Sequence, residues 1–424
     1  NAYRDPNAWY HIVVQINSGV ATSYVNNVLV HNGIGSGFTL TTGTNATRIG
    51  VYDSGDYDFD GYMAEINLVD GSVVAPSSFG ETNADTGQWN PIKYTGGYGT
   101  NGFYLNFSDN SDTTATTLGK DSSGNSNNFT PTNFALYGGD VVKDSPSNNF
   151  ATLQMMGTPF SSGASFSEGN LRLTSGSSSS ARNLNRQAFA PMLVNSGKWY
   201  AEFMQKDSNN NAFIGIGTYQ VRLSTTSNNT RYAYVNTSSG QSYVRTAGSE
   251  VISTYGSAIN QYDVLGIYLD MDAGTPVVYF SKNGQWADGS GNFDESSPTS
   301  GITLGDSFFT TDNGEANDGF AAFILSSASG GTSVIIQANF GQDSTFSGQI
   351  TSGGNTDANG KGNFKYAVPS GAKALCSANL PEPTILLANK HFDTLLWSGN
   401  STKDRNITGL NFSPDWVWIK SRSH

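Results

Sequence analysis

Short segments in which apolar and polar residues alternate constrain the fold of this chain more than any other feature. In the segment 9–16, WYHIVVQI, every second residue is apolar, namely Tyr10, Ile12, Val14 and Ile16. Successive side chains of a β-strand point to opposite faces, so this spacing predicts a strand with one apolar face. We find no long segment with the 3.6-residue apolar period of a helix. The pattern therefore predicts an all-β fold.

The composition supports the same fold class. Charged residues make up 13% of the chain, against about 25% in typical globular proteins. Aromatic residues reach 12%, with 20 Tyr and 24 Phe. Such a composition, together with abundant Gly, Ser, Asn and Thr, is typical of many short strands joined by polar turns. The length of 424 residues suggests roughly two to four domains.

The net charge excludes two classes of partner. At −12, with a pI of about 4.7, the chain would repel phosphate backbones, so nucleic acid is not expected to bind. No basic run is present to hold an anionic membrane surface. No apolar run approaches the roughly 20 residues that span a bilayer, so membrane insertion is not expected either.

The single cysteine, Cys376, excludes a disulfide bond within the chain and is most simply a small core residue. A strand is predicted close to Asn1, and the last ten residues, DWVWIKSRSH, lie within a predicted domain. We therefore expect these residues to belong to a longer or processed protein.

The first ninety residues contain three recognisable pieces. The segment 23–33, SYVNNVLVHNG, predicts a hairpin that turns at Asn26 and Asn27, because Asn tolerates the positive φ of tight turns. The segment 61–71, GYMAEINLVDG, predicts another strand, and 75–81, APSSFGE, predicts a short helix.

This order of segments resembles the second half of a laminin G-like, concanavalin A-type jelly roll. The resemblance rests on AWYHIVV, YVNNVLV and FDGYMAEINLVDG, and it implies that residues 1–90 are the C-terminal half of such a sandwich. Half a sandwich exposes an apolar face. We expect upstream residues or a partner chain to cover it.

Residues 91–147 are predicted to form a linker rich in Gly, Asn and Ser, with one strand in GFYLNF (102–107). The overlapping segment 79–134 resembles one that recurs in structural proteins of tailed bacteriophages. There it joins a laminin G-like module to the next sandwich.

Residues 148–346 predict a second sandwich. Its strands lie in GKWYAEF, AFIGIG, VLGIYLDMD, PVVYFSKNG, GFAAFIL and SVIIQANFGQ. The central hairpin turns at Ala273–Gly274 and resembles that of the SPRY domain at Gly266, Leu269, Asp270, Phe280, Asn283 and Gly284. The segment 338–346, ANFGQDSTF, resembles the closing strand of that domain, which implies a SPRY-like β-sandwich.

The last two segments follow the same resemblance. Residues 347–384 are predicted as a connector, because GAKALCSANLPEPTI (371–385) resembles the way SPRY-like modules end in phage proteins. Residues 385–424 are predicted to begin a third β module, since TGLNFSPDWVWIKSRS resembles a small module that follows there. Trp416 and Trp418 are expected to share a face.

An acidic stretch at 51–71 raises the question of a metal site. Its core DYDFDG begins like a calcium-binding EF-hand loop, but position 12 is Asn67 and not the required Glu. A looser calcium site at the rim of the jelly roll could use Asp53, Asp56 or Asp58, and calcium is the one cofactor that the sequence suggests. The other interpretation is a solvated turn that leads into a strand, with Phe59 buried.

No constellation of catalytic residues is found. None of the eight Glu residues fits the Glu-x-Asp-x-x-Glu spacing of concanavalin A-like glycosidases, and Glu65 and Asp70 are expected on opposite faces of a strand. The four histidines are far apart in sequence, and no G-x-S-x-G motif is present. We therefore predict that the chain is not an enzyme and name no catalytic residue.

Two polar loops combine aromatic residues or amides with aspartates. They are QKDSNNNA (205–212) and GQWADGSGNFDESSP (284–298). Both sugar-binding sites and ordinary surface loops have this composition.

Over nearly its whole length the chain resembles a phage virion appendage protein. The resemblance implies a non-enzymatic structural and adhesion protein on the particle surface, in a tail fibre or similar appendage. Its expected partners are other virion proteins, further copies of itself in a homo-oligomer, and a host-surface glycan or receptor. The alternatives are a cell-surface or secreted lectin-like adhesin of a bacterium and, third, a polysaccharide depolymerase.

Overall fold

The computed structural model describes most of the chain in fifteen ranges. These ranges are 8–35, 37, 47–51, 58–84, 87–135, 139–154, 165–175, 187–208, 211–218, 231–246, 249–309, 321–327, 333–382, 384–401 and 403–421. The chain divides into two units. The sandwich unit comprises 1–9, 43–70 and 98–380, and the meander unit comprises 10–42, 71–97 and 381–424.

The strands are short, and none of the described residues forms an α-helix. The first seven strands are β1 (Ile12–Asn17), β2 (Val20–Val25), β3 (Val28–Ile34), β4 (Ile66–Leu68), β5 (Gly80–Thr82), β6 (Trp89–Pro91) and β7 (Phe103–Leu105). The next eight are β8 (Ser165–Ser167), β9 (Arg172–Thr174), β10 (Gln187–Phe189), β11 (Lys198–Gln205), β12 (Ala212–Thr218), β13 (Tyr232–Asn236), β14 (Ser242–Thr246) and β15 (Ser249–Ser253). The last eight are β16 (Val264–Asp270), β17 (Val277–Lys282), β18 (Gln285–Ala287), β19 (Phe293–Glu295), β20 (Ile302–Thr303), β21 (Ala321–Ser327), β22 (Ile335–Asn339) and β23 (Lys373–Ala374).

Single 3-10 turns are the only helical elements of the described ranges. They span Pro76–Ser78, Asp306–Phe308, Ser377–Asn379 and Ala388–Lys390. No helix in the described part of the chain has the length and apolar character needed to cross a membrane. The prediction of an all-β fold is confirmed.

The meander unit is built on an antiparallel sheet of three strands in the order β1-β2-β3. The turn between β2 and β3 consists of Asn26 and Asn27, whose φ angles are 47° and 64°. Two consecutive residues with positive φ form the tight turn that matches the twist of a hairpin. The predicted hairpin is therefore confirmed. Ser18 and Gly19 make a second such turn between β1 and β2, with φ angles of 49° and 79°.

The predicted strand at 61–71 is shorter than expected. Only Ile66–Leu68 forms a strand, β4, which pairs with β7 in the sandwich unit. The predicted short helix at 75–81 is a single 3-10 turn, Pro76–Ser78. A proline at its first position fits, because the missing N–H has no partner there.

Two antiparallel sheets form the sandwich. The smaller sheet has the order β10-β21-β12-β13-β14-β15, and the larger has the order β19-β18-β17-β16-β11-β22-β9-β8. In addition, β20 pairs with β17, and β23 runs parallel to β11. All six segments predicted as strands of this region contain one, at β11, β12, β16, β17, β21 and β22.

The core lies between these sheets and consists of alternate side chains from each. The larger sheet contributes Trp199 and Phe203, and the smaller sheet contributes Ile214 and Phe323. The rings of Phe203 and Phe323 have their centroids 6.5 Å apart. Full burial of each such side chain stabilises the fold by roughly 1.5–3 kcal/mol.

The outward face of the larger sheet is also covered. Tyr200, one residue after the inward Trp199, packs edge-on against Phe364 with a centroid distance of 5.1 Å. Phe150 and Cys376 belong to the same buried cluster, so the predicted burial of Cys376 is confirmed. Residues beyond 346, predicted as a connector, thus pack on the sheet.

Candidate functional site

The acidic stretch of the sequence is only partly described. Asp53 and Asp56 lie outside the described residues, so their proposed role in a calcium site stays a prediction. Asp58 is exposed and forms an isolated bridge with Val51. The expected burial of Phe59 is wrong, because its side chain is 55% exposed. A turn that leaves both neighbours in solvent gives the ring nothing to pack into.

No group of three or more His, Cys, Asp or Glu side chains that could hold a metal ion is found among the described residues. His31 and His391 are exposed, and His424 lies outside the described ranges. His11 accepts a hydrogen bond from the Trp89 indole N–H at 2.9 Å. Partial burial lowers the pKa of His11, which favours the neutral ring that this bond requires.

Glu65 and Asp70, the carboxylates compared above with the glycosidase spacing, are both engaged in structural hydrogen bonds. Glu65 accepts a hydrogen bond from the Tyr104 hydroxyl. Asp70 accepts from the backbone N–H of Asn101 at 3.2 Å and from its side-chain amide at 2.8 Å. Each carboxylate therefore holds β4 or its end to the segment around β7.

Glu202 is a residue whose role the sequence did not reveal. It is fully buried on β11, and its oxygens accept four hydrogen bonds. The donors are the backbone N–H groups of Lys365 and Tyr366, both at 2.8 Å, and the side chains of Asn339 and Tyr200, both at 3.1 Å. Burial raises the pKa of Glu202 to about 7. This carboxylate fastens the segment after β22 to the sheet and is closed to a substrate.

The two polar loops lack an exposed aromatic platform. Trp286 is buried against Tyr200 and Tyr268, with centroid distances of 6.4 and 6.3 Å. Asp288 accepts hydrogen bonds from the Ser290 and Asn292 backbones at 2.6 and 3.0 Å. These contacts are those of an ordinary loop. In the other loop, 209–210 lie outside the described residues.

The open face of the three-stranded sheet is the strongest candidate for a functional surface. The register pairs Ile12 with Val25 and Val25 with Val28, which places all three on the face that also carries Val14. Ile12 is 67% exposed, Val14 60% and Val28 61%. We call this the open face. It matches the expectation that half a jelly roll exposes apolar residues.

The opposite face of the same sheet makes contacts within the meander unit. The Gln15 side-chain amide donates to the Val74 carbonyl at 2.7 Å. Tyr24 is half-buried on this side. This side is therefore more covered than the open face, although Leu29, the register partner of Tyr24, is 49% exposed. A contiguous exposed apolar patch of this kind marks an interaction surface.

The segment after residue 384 adds further exposed apolar groups. Trp416 and Trp418 are 72% and 77% exposed, and their ring centroids lie 6.4 Å apart. The two rings are thus neighbours, although the described residues around them form no strand on which they could share a face as predicted. Val417 and Ile419, between and after them, are also exposed. The described part of 384–421 contains no strand.

The comparison with protein families finds one match. Residues 2–77 match a laminin G family model described as the concanavalin A-like lectin/glucanases superfamily. This region includes β1 to β4 and the open face. The match supports the laminin G-like, concanavalin A-like content predicted for this part of the chain. A search of curated proteins found no match.

Two solved structures are similar to part of this chain. The SPRY domain of human HERC1 has 16% sequence identity, with 40% of this chain and 87% of that chain covered and a TM-score of 0.25. The PSpry domain of TRIM65 has 11% identity, with 45% and 88% covered and a TM-score of 0.29. The sandwich architecture is established by the strand pairing of the two sheets.

Proposed function

We propose that this chain is a non-enzymatic structural and adhesion protein of a phage virion, in a tail fibre or similar appendage. The observation that carries the proposal is the open face, where Ile12, Val14 and Val28 are exposed on one side of a sheet. A sheet face of this kind is stabilised by another layer. A subunit of an assembly gains that layer from a neighbouring chain, which fits a protein built into a particle.

The rest of the architecture supports an adhesion role. Antiparallel sandwiches are stiff modules that carry variable loops at their ends. Stiffness suits a protein that reaches a host surface, and loops can differ between hosts without disturbing the core. The segment 79–134, which resembles one that recurs in structural proteins of tailed bacteriophages, lies between the two regions predicted as sandwiches.

The hydrogen bonding of the carboxylates supports a role without catalysis. Glu65, Asp70 and Glu202 are held by donors from their own unit. Glycoside hydrolysis requires two carboxyl groups that flank the scissile bond and are open to it.

Immunogold electron microscopy of purified virions, with antibody raised against this chain, tests the proposal. We expect gold on a tail fibre or similar appendage. Label on the envelope of uninfected bacteria, with none on particles, would instead identify a bacterial adhesin. Release of reducing sugars from host capsular polysaccharide by the purified chain would indicate a depolymerase.

A further inference from the structure

A polar pocket of about 360 Å³ lies on the sandwich unit. Its walls come from the segment 143–150, which precedes the sandwich, and from the loop 354–363, which follows β22. Phe150, almost fully buried, contributes apolar surface to the lining. The polar lining includes Lys143, Lys361, Thr356 and Asn363. Pockets of this size accommodate a small ligand.

The loop 354–363 is held in one conformation. Asn355 and Phe364 form an antiparallel bridge, with N–H to carbonyl distances of 3.0 and 2.7 Å. At the tip, one oxygen of Asp357 accepts from the backbone N–H groups of Asn359 and Lys361 at 2.9 and 2.8 Å. Since the backbone is fixed on both sides of the tip, Lys361 is presented at a defined position. Such preorganisation lowers the entropy cost of binding.

The pocket is positive although the chain is acidic. Its lining contains two lysines and no carboxylate, whereas the whole chain carries −12. Neither Lys143 nor Lys361 forms an ion pair with any residue that the structure describes. An anion in the pocket would be attracted by both lysines.

Asp144, which follows Lys143, and Asp357, four residues before Lys361, are engaged elsewhere. The second oxygen of Asp357 accepts from the Ala374 backbone at 2.9 Å and from the Asn379 side chain at 2.7 Å. Asp144 accepts from the Phe150 backbone N–H at 2.8 Å, and burial raises the pKa of Asp144 to about 6. Neither acid lines the pocket, so the positive charge of the lysines is available to a ligand.

The uncharged groups of the lining favour a hydroxylated ligand. The Thr356 hydroxyl makes no hydrogen bond within the described structure. The side-chain carbonyl oxygen of Asn363 accepts a hydrogen bond from the Ser344 hydroxyl at 2.9 Å, while the side-chain N–H₂ donates to none of the described groups. At Gly354 and Gly360 an added Cβ would meet nothing within 4 Å, so the glycines leave open space at the rim.

We propose that this pocket binds an acidic sugar unit, that is, one sugar ring that carries a carboxylate or a phosphate. Lys143 and Lys361 pair with the anionic group. Asn363 and Thr356 hydrogen-bond the ring hydroxyls. The inference deepens the adhesion part of the proposed function and rests on it, since it names the class of host-surface glycan that the chain recognises.

The test is isothermal titration calorimetry of the full chain with four probes, glucuronic acid, glucose 6-phosphate, glucose and inorganic phosphate. We expect at least one acidic sugar to bind with an affinity at least tenfold higher than that of glucose and of inorganic phosphate. Whichever acidic sugar binds more tightly assigns the anionic group. Equal binding of glucose, phosphate as tight as the sugars, or no binding of either acidic sugar would overturn the proposal.

Matched variants locate the binding in this pocket. Lys143→Gln with Lys361→Gln should weaken binding of the acidic sugar at least tenfold, whereas Lys120→Gln, an exposed lysine outside the lining, should not. Unchanged thermal melts confirm that the variants fold. If the double variant binds as wild type does, the site is elsewhere and the proposal fails.

The outcome is independent of the virion experiment. Gold-labelled particles without sugar binding would overturn the proposed sugar site and leave the proposed virion function standing. Sugar binding by a chain that is absent from particles would overturn the virion role and leave the pocket standing.

Discussion

Glu202 shows how one buried side chain links stability to pH. Its pKa of about 7 in the folded chain lies above the ordinary 4.5 of Glu. The folded state therefore binds more protons than the unfolded state between these values, and stability falls as pH rises from about 4.5 to 7. Below pH 4.5 Glu202 is protonated in both the folded and the unfolded state, and its contribution to stability is fully present.

We expect Glu202→Gln to flatten this part of the pH profile. The variant should also be less stable by about 1–3 kcal/mol, because an amide N–H₂ would face the donors of Lys365 or Tyr366. Thermal melts of wild type and variant between pH 5 and 8 measure both effects. A wild-type melting temperature that rises across this range, with the same slope in Glu202→Gln, would contradict the assignment.

The exposure of Phe59 changes the stability loss expected for its removal. A buried ring would make Phe59→Ala cost roughly 3–5 kcal/mol. With the ring 55% exposed, we expect a loss below about 1 kcal/mol, measured by urea unfolding. Phe203→Ala, in the core, is the control that should show the large loss. A large effect at position 59 would show that the ring is covered in solution.

These two residues show why single positions were hard to predict. Three of the four partners of Glu202 lie 137 to 164 positions away in sequence, so no local pattern indicates them. The expected burial of Phe59 is wrong for a local reason, because it depends on a strand predicted from residue 61, whereas β4 begins only at Ile66. Cys376 was predicted correctly, because a lone small apolar residue needs no named partner to be buried.

At the scale of elements, the strands predicted in the sandwich have strongly apolar sequences, whereas β13 and the more polar β14 and β15 are not among the predicted ones. β12 and β16 are almost entirely apolar and buried throughout. β14 and β15 contain Arg245 and Glu250, which the register places opposite each other. Such strands resemble loops in sequence, because what defines them is a neighbouring strand that the local sequence does not contain.

Asp121 organises the loop that follows β7. It accepts hydrogen bonds from the backbone N–H groups of Tyr104, Ser123 and Asn127 at 2.8–2.9 Å. Burial alone would raise the pKa of Asp121, but the hydrogen bonds from Tyr104 and Ser123 outweigh it, so the pKa is lowered. Its stabilising contribution is therefore present above the ordinary pKa of 3.8 and is lost as pH falls below it.

We expect Asp121→Ala to lower the free energy of unfolding by about 1.5–3 kcal/mol at pH 7, the range for hydrogen bonds to a charged group. Guanidinium unfolding followed by fluorescence measures this loss. Asp109→Ala is the control, because that exposed carboxylate accepts hydrogen bonds from Ser111 alone among the residues that the structure describes. Equal free energies of unfolding for the two variants would show that the loop does not depend on Asp121.

The strand β23 and its flanking residues predict the effect of truncation. Leu375 belongs to the main core, and Phe364 packs on Tyr200. A fragment that ends at residue 346 lacks both, and each loss leaves a cavity or an exposed face. We expect fragment 139–382 to melt cooperatively and at least 10 °C above fragment 148–346, measured by circular dichroism. Equal melting temperatures would mean that the later segment contributes nothing.

At the scale of the whole molecule, the open face predicts self-association. Ile12→Lys with Val14→Lys should leave folding intact, because both side chains are exposed, yet it should weaken assembly roughly 100-fold or more. Sedimentation of the chain at several concentrations measures the effect. Asn17→Lys, an exposed polar position on the same strand, serves as the control. A wild-type chain that stays monomeric at all concentrations would contradict the proposed homo-oligomer.

The bridge between Phe150 and Cys376 has a mechanical consequence. The chain enters the sandwich beside the place where it leaves, since Ala151 N–H donates to the Leu375 carbonyl at 2.9 Å and Ser377 N–H to the Asn149 carbonyl at 2.8 Å. Tension applied across residues 148 and 378 would load this antiparallel contact first, one hydrogen bond after another. Until this contact opens, the force is not transmitted to the two sheets of the sandwich.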